Sequence, residues 1–212
     1  MRLRHLCLVP LLLPVLACKA LTVPPGLEAN ATKMPVERVN RKTMAFGAYD
    51  VTNVRRGVAL GGEGSIAGVK GEQDQRKFSF TLSRDGNSYL VNCKRKGSSV
   101  SVGDFAVDSK EAVQCDLSSG ETPWSITLAG ETKGEVRGHL QQGDRKVAIE
   151  PAHGGMFGPR GYYIREDQEV AAVDVGRKSK TVWVRNELEP KFALALAATC
   201  TALMLYDNGQ SG

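Results

Sequence analysis

Five cysteines, three histidines and a few charged clusters are the residues of this chain that could do chemistry. Cys93 and Cys115 end two alternating, strand-like segments and lie 22 positions apart. In an oxidising compartment such a pair forms a bridge, and closing a loop of that length contributes about 3 kcal/mol. The alternative is two thiols whose backbones are too far apart to join. Cys200 sits in an uncharged run, where desolvation keeps a thiol protonated and inert, so a packed hydrophobe is expected. His139 follows Gly138 in a strand-like stretch and His153 lies in a loop. Neither has an acid or a cysteine at metal-ligand spacing. Asp104 and Asp108 could flank a site, a weak signal from one carboxylate pair near a turn. No nucleophile elbow, phosphate loop or zinc pattern occurs, and the glycine-rich run at 61–65 reads as a flexible loop. The expectation is a non-catalytic chain with no metal and no cofactor.

Three basic clusters remain: Arg55-Arg56, Lys94-Arg95-Lys96, and Arg177-Lys178 with Lys180. Each is expected at a turn, as solvated loop tips. The sharper reading is contact with anionic lipid head groups, at about 1 kcal/mol per basic residue near the surface. Nucleic acid is not expected. The formal charge is +5, and two of the 28 basic residues, Arg2 and Arg4, belong to a segment expected to be removed. The remaining surplus of three is too mild to imply a polyanion.

That removable segment is the start of the chain. Arg2 and Arg4 precede an apolar stretch at 6–17, a secretory pattern too short to span a bilayer. The stretch ends Val15-Leu16-Ala17-Cys18, which resembles the lipobox of bacterial lipoproteins. The resemblance implies cleavage before Cys18, lipidation of its thiol and acylation of its new amino group. Several acyl chains on one residue give stable anchoring. Lys19 in place of an aspartate makes the outer membrane the expected destination. The alternative is an ordinary signal cut after Ala20 and a freely secreted domain. Residues 18–42 hold Pro24, Pro25 and Pro35 without sustained periodicity, and read as the lipidated cysteine and a flexible tether.

From 43 onward, short alternating runs separated by Gly, Asp and Asn predict about eleven strands. The predicted spans are 45–51, 77–83, 88–94, 100–107, 112–117, 124–129, 134–140, 146–150, 162–165, 169–175 and 181–185. Gly86 supplies the hairpin between the second and third. Such spacing suits a sandwich or barrel. The exception is 192–205, fourteen uncharged residues rich in Ala and Leu, with Pro190 at a helix start and Asn208-Gly209 at its end. Every face of that helix is apolar, yet it reaches only ~21 Å. It therefore needs protein on all sides.

The order of strands, Val182-Trp183-Val184, a short acidic linker and an Ala/Leu helix ending Leu205-Tyr206-Asp207 resembles the tubby-like superfamily. That group includes tubby carboxyl domains, phospholipid scramblases and LURP-one-related proteins. The resemblance implies a mainly β fold, an antiparallel barrel of about a dozen strands around a buried hydrophobic C-terminal helix at about 190–206. It covers 43–208 as a single domain, leaving 209–212 as a tail. The function expected is a membrane-anchored envelope lipoprotein acting as a binding or assembly module for an envelope protein or glycan. The alternative is a protein that binds or handles anionic phospholipid.

Overall fold

The computed structural model describes residues 21–58, 60–66, 69–102, 105–119, 123–132, 135–153, 159–176 and 180–207. The signal at 1–17, Cys18, Asp104, Arg177, Lys178 and the 209–212 tail lie outside these residues. The described chain opens with a short helix, α1 (Pro25–Asn30), which Pro25 starts at a position where a missing N–H costs nothing. Fourteen strands follow, then one long helix. The strands are β1 (Ala31–Pro35), β2 (Glu37–Asn40), β3 (Thr43–Phe46), β4 (Tyr49–Arg56), β5 (Leu60–Ile66), β6 (Val69–Arg84) and β7 (Asn87–Val102). They continue with β8 (Phe105–Ser118), β9 (Trp124–Thr132), β10 (Glu135–Gln142), β11 (Arg145–His153), β12 (Pro159–Arg165), β13 (Glu169–Asp174) and β14 (Thr181–Arg185). The helix is α2 (Pro190–Asp207).

Thirteen of these strands form one antiparallel path, β1-β14-β13-β12-β11-β10-β9-β8-β7-β6-β4-β3-β2, and β5 adds to β6. The two ends of the path, β1 and β2, are neighbours in sequence. Only Val36 separates them, and its amide donates to the Lys180 carbonyl at 2.9 Å. One continuous stretch, 31–40, thus pairs β14 with its first half and β3 with its second, nearly closing the barrel.

The barrel surrounds α2. Every residue from Phe192 to Tyr206 is buried, which matches a helix with no polar face. Alanines at 193, 195, 197, 198 and 202 let strands approach it closely, and Thr199 and Thr201 satisfy their hydroxyls on the helix's own carbonyls four residues back. Inward residues of the strands alternate as expected: Phe78, Phe80 and Leu82 on β6 face Cys93, Val91 and Tyr89 on β7. Cys93 and Cys115 stand directly opposite each other on β7 and β8, Cα atoms 4.1 Å apart, and form a disulfide inside the barrel.

Several expectations are corrected. The segment from 21 to 42 is no tether: it supplies α1, β1 and β2 and seals the barrel seam. Leu21 and Leu27 pack on the outer face of the sheet with Ala152, Ala172 and Trp183, a second small apolar cluster that covers this part of the wall. The single strand expected at 45–51 is two, because Gly47 at φ +56° turns the chain between them. The 61–65 run is strand β5 rather than a loop, and the predicted 88–94, 100–107 and 112–117 are two long strands, β7 and β8.

Candidate functional site

Most reactive groups are consumed by the architecture. Cys200 is fully buried with its Sγ 3.9 Å from the Ala172 carbonyl, and burial pushes its thiol pKa far up. At the end of the barrel where α2 finishes, Arg95 and Glu111 form an ion pair at 2.5 Å, each only 5% exposed. The Tyr206 hydroxyl donates to the second oxygen of Glu111, and the Arg95 guanidinium lies 5.4 Å from the Tyr206 ring centre. Burial first, then the bond to Glu111, raise the Tyr206 pKa strongly. This trio fastens the last turn of α2 to β7 and β8. His139 lies on β10 between Thr127 and Ala148, and its pKa is lowered by burial and by the charge of Lys146. His153 ends β11 opposite Pro159.

The opposite end, where α2 begins, carries a mouth of about 410 Å³ between the Gly47-Ala48 turn, the β6–β7 turn and 185–190. Met34, Val184, Leu188, Ala193 and Leu194 give it an apolar floor. On its rim Arg84 donates to the Tyr49 hydroxyl at 3.0 Å and to Asp85 at 3.0 Å. Nearby, Arg145 grips Glu166 through two bonds of 2.8 and 2.9 Å and lies 3.6 Å from the Phe192 ring centre. That fork holds Glu166 below the usual carboxylate range.

The end where α2 finishes is the richer surface. The Leu21 amide donates to Asp174 Oδ2 at 3.0 Å, and Asp174 also accepts from Gly176 and faces Arg160 at 3.8 Å. The Tyr163 hydroxyl donates to the Thr22 carbonyl. The chain is therefore held at this end from residue 21 onward. Around the same rim come the β2–β3 hairpin and the end of β4, with Arg38, Arg41, Lys42, Arg55 and Arg56 exposed. The charge of Arg38, after burial, lowers the Arg56 pKa, so the two cations share one neighbourhood. Large apolar residues stand exposed among them: Val39 at 66%, Val58 at 85% and Leu60 at 71%.

The sequence-predicted basic residues divide accordingly. Arg55 and Arg56 end β4 in solvent, in a strand and not in a turn. Lys94 and Lys96 point outward from mid-β7, whereas Arg95 points inward, so it is unavailable to any head group. Lys180 donates to the Val175 carbonyl at 3.2 Å, next to the β13–β14 connection. Arg38, Arg41 and Lys42 escaped the sequence reading. The clue was Arg38 and Arg41-Lys42 flanking the exposed Val39.

Beyond this rim, β5 to β8 run on as a four-stranded arm with polar residues on both faces. A hollow of about 740 Å³ lies beside it, where Gly61, Gly62, Gly97 and Ala112 leave room between Gln73, Gln75, Lys96 and Lys110. Compared with known proteins, the chain matches no family model, no curated protein and no solved structure.

Proposed function

We propose that this chain is a lipid-anchored, non-catalytic binding module of the bacterial envelope, tethered through Cys18 to the outer membrane. The observation that carries the reading is the fixed position of Leu21. Only Lys19 and Ala20 separate it from Cys18, so three residue steps span at most about 11 Å. An anchor there brings the barrel end holding Leu21 directly against the bilayer, with no slack. The nearly closed barrel around a hydrophobic final helix supports the likeness to the tubby-like superfamily. Burial of Arg95, Glu111, Tyr206 and Cys200 in packing roles supports a binding function over catalysis.

A second reading has its own observation. On the same end, Val39, Val58 and Leu60 stand exposed between five cations, an arrangement suited to an anionic lipid interface. The anchor is tested with labelled palmitate in cells making the full chain or Cys18→Ala. Label on the wild type alone, in outer-membrane fractions, is expected. An unlabelled, soluble protein cut after Ala20 overturns it. Flotation of a Cys18→Ser chain with vesicles of phosphatidylcholine and phosphatidylglycerol tests the lipid surface. Arg55→Glu with Arg56→Glu should weaken binding at least tenfold, given about 1 kcal/mol per basic residue; unchanged binding rejects that role.

A further inference from the structure

We propose that the outer edge of β5 is a strand-addition site for an extended segment of another protein, one that carries a lysine or arginine opposite Glu63. Among the described residues β5 pairs with β6 alone, in unbroken register from Leu60 opposite Gln75 to Ile66 opposite Val69. Among the described residues its other edge, seven residues or ~23 Å long, has no strand beside it. Sheet edges are ordinarily blunted by proline, bulges or several charges. This one has no proline, no register shift and three glycines, and Gly62 and Gly64 have open space where a side chain would stand.

The charge pattern selects the occupant. Glu63 sits directly opposite Glu72, a like-charge cross-strand pair that is unfavourable without a counter-ion, and neither is ion-paired among the described residues. A second copy pairing about a two-fold at Glu63 would place four carboxylates in one row. A cationic side chain from an incoming strand would instead complete the row. Its outward neighbours would reach the hollow beside Gln73, Gln75 and Lys96. Main-chain hydrogen bonds supply affinity in this mode and the opposed charge supplies selectivity. The inference stands apart from the Cys18 anchor, since the arm keeps this edge whether or not the chain is lipidated.

The test uses the purified full chain and two fluorescent heptapeptides, Thr-Val-Thr-Lys-Thr-Val-Thr and the same peptide with a central glutamate. The lysine peptide should bind at least roughly tenfold tighter by anisotropy, and Glu63→Lys should reverse the order. N-methylating alternate peptide amides should abolish binding, and hydrogen exchange should slow within 60–66. Glu63 is exposed, so the variant's unchanged melting curve separates lost binding from lost fold. Charge-indifferent binding, or binding that survives N-methylation, overturns the proposal. So does a concentration-dependent dimer that excludes both peptides, since it would assign the edge to a second copy.

Discussion

Glu111→Ala is the substitution that most directly interrogates how α2 is held. It removes the carboxylate from Arg95, 5% exposed, and the acceptor from the Tyr206 hydroxyl, 2% exposed. The Arg95 Nε already lacks a hydrogen-bond partner, so the guanidinium has little else to lean on. Breaking a buried pair by deleting one partner costs about 3–5 kcal/mol, because the other charge stays behind uncompensated. A domain of this length loses roughly 2–4 °C of melting temperature per kcal/mol, so the drop should be about 6–20 °C. Calorimetry on the full chain, with urea midpoints as a second measure, reads it. The informative partner is the double variant Arg95→Met with Glu111→Leu, which removes both charges and should recover most of the loss. A single variant that loses less than about 1 kcal/mol would refute the reasoning. A double variant worse than the single would refute it equally, by showing that shape and not charge sets the cost.

Two further outcomes follow from burial. Burial raises the pKa of Cys200 and Tyr206, so the folded chain keeps two protons that the unfolded chain releases near pH 8.5 and 10. The unfolded state then binds fewer protons and stability falls as pH rises, by up to about 1.4 kcal/mol per pH unit for each group. Urea midpoints from pH 7 to 11 should decline from about pH 8.5, with the first step gone in Cys200→Ala; a flat curve contradicts it. Leu27→Ala empties the fully buried centre of the outer cluster and should cost about 2–5 kcal/mol, with faster hydrogen exchange across 25–35 than across β6–β8. Equal exchange in both regions would mean that α1 is not fastened where the structure places it.

The core helix was legible because its signal is one of composition: no polar residue breaks 192–198, and a helix apolar all round has only one kind of home. The disulfide was legible in part: the two cysteines end strand-like segments 22 positions apart, but their facing, inward places on β7 and β8 come only from the register. The 21–42 segment was not. Leu27 is the one buried residue of α1, and Met34 the one of β1, so neither element repeats a period long enough to read. Its role comes from position at the seam, which only the register of β14 reveals. The arm failed for the opposite reason: β5 to β8 leave the core, and polar residues on both faces erase the alternation that marks a half-buried strand. For the same cause Lys94-Arg95-Lys96 looked like a turn, although a single inward arginine sits between two outward lysines. The rim cations beside Val39 and Val58 were visible as residue types, but only the pairing of β2, β3, β4 and β6 brings them to one end.

The placement of α2 after all fourteen strands fixes a timetable. β1 finds its partner only when residue 185 exists, and no strand has a centre to close on until 192–206 has been made. At 5–20 residues per second, about 9–35 s separate the synthesis of β1 from that of Tyr206. Throughout that interval the inner faces of the strands that meet α2 are apolar surface awaiting cover. A chain stopped fifteen or twenty residues short would therefore be no shortened version of this fold. It would be a set of strands with nothing to surround, in need of protection from its own kind.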